Sequence, residues 1–295
     1  MAGRNVKGGD FMHVIVAGGS SGIGLAVAKL YAARGDRVSL LARHPGRLEQ
    51  ARAEIASLPG IDSSLIQIAS VDVASAPQAS SAIGSCEASF GPCDILIASA
   101  GIVEPGAFDA LPASVFDEQI SINLLGTANV VRAVYKGMKS RRDGKIMMIS
   151  SGAALIGIFG YTAYCASKSA LGGFAEALSA EAAACGIQVS ICFPPDTLTP
   201  QYRREVSMRP AEAEIMMGTV KPWSPETVAA RIVRGLDRGR AKIHFGFSLT
   251  MLAYFGPLIK PPLMWWFSRK TRKMMGKEAG KGLVESADRG FDHGK

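Results

Sequence analysis

Cysteine spacing that could hold a metal or staple a small fold is missing from this chain. Its 5 cysteines are an odd number, and Cys86, Cys93, Cys165, Cys185 and Cys192 form no C-x-x-C pair. A disulfide framework or a zinc module needs more regular spacing, so a reduced intracellular protein without a bound metal is the expectation. No secretory leader is visible either. The first apolar run, residues 14–17, is far too short and glycines follow at once. There is no internal repeat of solenoid length and no low-complexity block beyond an alanine-rich helix. The formal charge of +8 is uneven, with Arg269, Lys270, Arg272, Lys273, Lys277 and Lys281 opposed locally by Glu278 alone. No aromatic-interleaved basic groove accompanies that cluster, so nucleic acid is not an expected partner.

What is present is a long chain of 295 residues, 48% of them apolar, enough to bury a sizeable core. Strand-length apolar runs fall at 11–17, 37–42, 64–69, 95–98, 145–150, 188–193 and 242–245. Helical patterns lie between them, among others at 24–34, 47–57, 113–139, 163–184 and 225–238. Runs rich in Val, Ile and Leu without polar alternation belong to a parallel sheet covered on both faces. The rhythm predicts one α/β domain over 11–245 with a doubly wound sheet and right-handed crossovers. An apolar and basic segment, 246–277, and a polar, glycine-rich and frayed tail, 278–295, are expected to follow.

After the first run, Gly18, Gly22 and Gly24 stand at G-x-x-x-G-x-G spacing just where a helix opens. Glycine lets backbone approach a pyrophosphate, whose charge meets the free N–H groups at the helix start. Ser20, Ser21 and Ile23 complete the loop. The second strand ends Leu40-Leu41-Ala42-Arg43 with no carboxylate, and Arg47 follows a turn later. A carboxylate there would suit a free ribose, whereas guanidinium groups suit a 2′-phosphate. NADPH is therefore the expected cofactor. Asp72, with Val73 after the third strand, would either accept from an adenine amino group or cap a helix.

Ser151 closes the fifth strand, and Tyr164 and Lys168 follow at Y-x-x-x-K. Four residues apart on a helix is one face, which sets the lysine beside the phenol. Tyrosine, with a pKa near ~10, is a poor acid–base group at neutral pH. A nearby ammonium, with the positive nicotinamide of the oxidised complex, would move it down. Ser151 could hold a substrate carbonyl in the same crevice.

Together these residues resemble the short-chain dehydrogenase/reductase family over about 11–245. The resemblance implies a single Rossmann-type sheet of about seven strands in the order 3-2-1-4-5-6-7. It implies a catalytic tetrad of Asn123, Ser151, Tyr164 and Lys168, with Asn123 holding a kink in a long helix and a water leading to the lysine. Pro194, Thr197 and Thr199 would lie beside the nicotinamide. Two departures affect supporting hydrogen bonds only: Ala17 stands where the family has Thr, and Ala98-Ser99-Ala100-Gly101 where it has Asn-Asn-Ala-Gly.

Residues 18–24, 156–164 and especially Phe193-Pro194-Pro195-Asp196-Thr197-Leu198-Thr199-Pro200 resemble, more narrowly, the branch that reduces the 3-keto group of long-chain sphingoid bases. The alternatives are a reductase of another apolar ketone (a steroid or a 3-oxoacyl thioester) and a non-catalytic NADP-binding regulator. A lid over 199–223, with Met208, Met216, Met217 and Trp223, suits an alkyl chain. A spanning helix needs roughly 20 apolar residues, and Pro257, Lys260, Pro261 and Pro262 interrupt residues 245–267. The expectation is a segment lying in a membrane interface, Trp265 and Trp266 at headgroup depth and the basic cluster on anionic lipid. That places the protein on the cytoplasmic face of a membrane, the endoplasmic reticulum in a eukaryote or the inner membrane in a bacterium. The other reading of the segment is a subunit contact, in keeping with the homo-oligomers of the family.

Overall fold

A computed structural model describes residues 11–218 and 221–290, with side chains as far as residue 274. Seven strands form one parallel sheet in the order β3-β2-β1-β4-β5-β6-β7. They are β1 His13–Ala17, β2 Arg37–Ala42, β3 Ile66–Ser70, β4 Ile95–Ala98, β5 Gly144–Ile149, β6 Ile187–Phe193 and β7 Lys242–His244.

Successive side chains of a strand point to opposite faces. Val14 and Val16 of β1 accordingly enter one core with helices α1 (Gly22–Ala32), α2 (Pro45–Ala56) and α9 (Pro225–Asp237). Ile15 and Ala17 enter the other, with α3 (Ala76–Phe90), α5 (Gly126–Arg141) and α6 (Thr162–Ala183). Both faces are covered, which is why the strands lack polar alternation. The chain crosses from β3 at one edge back to β4 beside β1, and ligands bind at such a switch point, outside the strands' carboxyl ends.

The pattern expected as one helix over 113–139 divides into α4 (Ala113–Ile120), a π turn at Ser121–Leu125 and α5. Three further helices carry too weak an apolar stripe to stand out in sequence. These are α3, with Ala79, Ile83 and Cys86 buried, α7 (Pro200–Met208) and α8 (Ala211–Met217). The C-terminal prolines do not end the last helix, α10 (Gly246–Gly290). They bend it, with non-helical φ −114° and ψ 16° at Phe255, two residues before Pro257. A proline ring presses on the carbonyl of the preceding turn, which accounts for a kink there. Past 278 the backbone continues the same helix as far as Gly290. The side chains of Lys277, Glu278 and Lys281, and all of residues 291–295, lie outside the described residues. Among the described residues no helix is long and apolar enough to cross a membrane.

Candidate active site

The loop between β1 and α1 turns through Gly18 at φ +83° and Gly22 at φ +57°. A Cβ on Gly18 would stand 2.6 Å from the Ala100 nitrogen, and one on Gly24 would stand 2.3 Å from the Gly18 carbonyl oxygen. The loop is therefore folded onto itself and against the end of β4, at a closeness only glycine allows. Ser21 is the N-cap of α1 but makes no side-chain capping bond, and no acidic residue occupies the first turn. Its free N–H groups and the helix dipole are left for an anion.

This loop opens onto a cavity of about 860 Å³. Gly18, Ser20, Ser21, Gly22, Ile23, Arg43, Arg47, Asp72 and Val73 border one end, and Ser151, Tyr164, Lys168, Pro194, Thr197 and Thr199 the other. Gly24 lies beneath the loop and Asn123 is fully buried, so neither borders it. Arg43 pairs with Glu118 at 3.4 Å while keeping much of its surface open. Asp72 does not cap α3, whose N-cap is Ser75. Its Oδ1 accepts from the Ala74 amide at 3.0 Å, which fixes the turn.

At the catalytic end, Ser151 follows β5 and its Oγ accepts from the Ala153 amide at 3.1 Å. The hydroxyl remains free to donate, and it lies within hydrogen-bond reach of Tyr164. Tyr164 lies in the first turn of α6, with Lys168 Nζ 5.8 Å from its ring centroid. Lys168 donates to the Ile149 carbonyl at 3.0 Å, and burial pushes its pKa down to about 8. Burial pushes Tyr164 up, a contact with Ser151 opposes that, and the Glu205 and Asp196 carboxylates add to it. In the chain by itself, then, burial outweighs the lowering expected from Lys168. Tyr164 stands protonated at neutral pH.

Asn123 lies in the π turn, the kink expected of it. Its Oδ1 accepts from the Ile102 amide at 2.7 Å, and its Nδ2 donates to the Ile102 carbonyl at 2.9 Å and to Ser167 Oγ at 3.0 Å. Ser167 Oγ in turn donates to the Tyr164 carbonyl at 2.9 Å. The side chain thus ties the segment after β4 to the helix bearing Tyr164, and its own carbonyl accepts from Thr127 Oγ1 at 2.8 Å.

A profile described as short chain dehydrogenase matches residues 12–210. The chain belongs to the short-chain dehydrogenase family. Membership brings a nicotinamide cofactor, and the open helix start, the glycine loop and the polar cavity end fit one. The chain is 38% identical over 242 residues to the 3-ketodihydrosphingosine reductase of Bos taurus, covering 82% of this chain and 73% of the relative. It is 39% identical over the same shares to the 3-dehydrosphinganine reductase of Danio rerio. Among solved structures, levodione reductase shares the fold at a TM-score of 0.74 and 24% identity, covering 83% of this chain and all of that one.

Two features of this short-chain dehydrogenase carry no mark in its sequence. One face of α10, with Leu249, Leu252, Leu263 and Phe267, walls the cavity. A Cβ on Gly152, the residue after Ser151, would lie 3.1 Å from Leu249 Cδ2, so α10 packs directly on the catalytic turn. The second is a largely buried ionic cluster of Tyr161, Asp196, Glu205 and Arg209 beside the cavity. Glu205 and Arg209 are a local pair four residues apart, and only the fold brings Tyr161 and Asp196 to it.

Proposed function

We propose that this protein is an NADPH-dependent reductase of the 3-keto group of long-chain sphingoid bases, working at the cytoplasmic face of a membrane. The observation that carries the reading is the single cavity. It joins an anion-ready glycine loop to Ser151 and Tyr164, and then continues along the apolar wall of α10. The named activity of relatives 37% to 39% identical supports the substrate. Arg43 and Arg47, with no carboxylate at the end of β2, support a 2′-phosphate.

A nicotinamide cofactor held by the glycine loop would supply the hydride that the ketone carbon accepts. Ser151 donates a hydrogen bond to the ketone oxygen and holds it beside Tyr164. The phenol, kept neutral by burial, gives its proton to that oxygen as negative charge develops. Lys168, fixed by the Ile149 carbonyl, sets a positive charge next to the phenolate that forms. Asn123 holds the two backbone segments in register.

The test is NADPH oxidation by the purified protein with a 3-keto sphingoid base, a steroid ketone and a 3-oxoacyl thioester. Turnover is expected with the sphingoid base and is expected to fall by about 10³-fold or more in Tyr164→Phe, the range of general acid catalysis. Replacing Arg43 and Arg47 by Ala should raise KM for NADPH and leave that for NADH unchanged. Turnover confined to another ketone would sink the substrate assignment and keep the reductase.

A further inference from the structure

Arg209, almost fully buried, bridges two carboxylates in the cavity wall. Its Nε and Nη2 donate to Glu205 Oε1 at 3.2 and 2.7 Å, and its Nη2 to Asp196 Oδ2 at 3.3 Å. The Tyr161 hydroxyl donates to the same Glu205 oxygen. Every donor therefore goes to one oxygen of each carboxylate. Among the described residues none reaches Glu205 Oε2 or Asp196 Oδ1, and neither atom is sealed from solvent. Both residues border the cavity that holds Tyr164 and Ser151, and the Tyr161 and Tyr164 rings meet edge to face at 6.4 Å.

Two carboxylates against one guanidinium leave the cluster with a net charge of −1, beside Ile158, Met216, Met217 and Trp223, and the neighbouring Arg204 is taken by Glu104 at 2.9 Å. A buried, incompletely balanced charge is costly unless something pairs with it. The cluster does more than fasten the lid, which a single Glu205–Arg209 pair would already do. Asp196 is held independently, its carbonyl accepting from the Trp223 amide at 2.8 Å and its neighbour Thr197 pairing with Trp223.

We propose that Asp196, with Glu205 behind it, is the seat for a substrate ammonium group on the carbon next to the reacting ketone, so that the site selects 2-amino ketones over plain ketones. This rests on the sphingoid-base reading and adds to it the residues that recognise the polar head. An amine beside a carbonyl resembles a peptide α-amino group, with a pKa near ~8, and is largely a cation at neutral pH. The bound cation also acts on the chemistry. Glu205 and Asp196 both disfavour the Tyr164 phenolate, and an ammonium between them and the phenol cancels that field. Amine recognition therefore speeds proton transfer as well as tightening binding.

The pH sign follows from the same groups. Burial, with the Glu205 charge adding and Arg209 opposing, holds Asp196 above the usual carboxylate range. Selectivity is present while Asp196 is ionised and the amine protonated. It is lost as pH falls through the raised Asp196 pKa and as it rises past that of the amine.

The experiment compares kcat/KM for a long-chain 2-amino-3-ketone and its des-amino counterpart, in wild type and Asp196→Asn. It also measures calorimetric binding of the matching amino diol and des-amino diol. Wild type is expected to prefer the amine by about 10- to 100-fold in both assays, the range of a charged hydrogen bond. Asp196→Asn should bring both ratios close to one. A structural role alone would lower both ketones together and leave the ratio intact, which overturns the proposal. Should the variant fold poorly, equal wild-type binding of the two diols overturns it without any variant. Amine-selective binding without turnover would instead leave this seat standing and remove the reductase reading beneath it.

Discussion

At the residue scale, Asn123 satisfies both the amide and the carbonyl of Ile102 from a fully buried position. Asn123→Ala leaves the two partly buried backbone groups of Ile102 without partners, each costing about 1–3 kcal/mol. Thermal or urea unfolding should show a loss of about 2–4 kcal/mol, with turnover falling too because the Ser167 link to the Tyr164 segment is cut. A loss of activity at unchanged stability would contradict the clamp. Lys168 makes a prediction in pH. Its pKa, lowered by burial to about 8, means that it is charged below that pH and neutral above it. With a des-amino ketone, which has no titrating group of its own there, the rate of reduction should therefore decline as pH rises through about 8. In Lys168→Met, a profile slower by about 100-fold and flat across that range is expected. A wild-type profile with no descending limb there would remove Lys168 from the reaction.

At the scale of elements, α10 acts as a wall. Tyr254, Leu258 and Trp265 are exposed on one side at helical spacing, while Leu252 and Gly256 are buried on the other, with Leu263 and Phe267 toward the cavity. Replacing Leu263 and Phe267 by Asp should raise KM for a long-chain ketone by about 10-fold or more, since each buried CH₂ is worth ~0.8 kcal/mol. KM for a short-chain ketone should barely change. Equal effects on both would mean that α10 supports the fold and not the chain. Sequence reading found what local pattern encodes. The glycine loop, the strand-end Ser151 and the Y-x-x-x-K pair each carry their geometry in their spacing, and the buried strands announce a sheet covered on both sides. It overlooked what depends on distant packing. Prolines at 257, 261 and 262 pointed to a broken segment, yet the helix that packs on the catalytic turn through Leu249 bends once at Phe255 and runs on to Gly290. Asp196 stands out only as part of a family-like motif, and it joins the local Glu205–Arg209 pair only when α7 folds against the loop after β6.

At the scale of the whole molecule, the outer face of α10 bears on the proposed membrane site. Its exposed aromatic row leads to Trp265 and Trp266, and the basic cluster follows at once. Arg269 stands 5.6 Å and Lys270 4.0 Å from the two indole centroids. Indoles at headgroup depth with cations beside them suit an anionic lipid surface, where each basic residue adds about 1 kcal/mol. The cavity face of the same helix would then open beside the bilayer that holds a long-chain substrate. The protein should co-sediment with vesicles containing anionic lipid and much less with neutral ones. Raising the salt should weaken binding, because the Debye length shortens from about 10 Å at 0.1 M to about 3 Å at 1 M. Arg269→Glu with Lys270→Glu should lower partitioning by at least about 10-fold, as reversal of two surface charges requires. Trp265→Ser should weaken it without changing the salt dependence. If the wild type instead stays in the supernatant and sediments as a dimer that Trp265→Ser splits, the row is a subunit contact. The substrate would then have to reach the cavity through water.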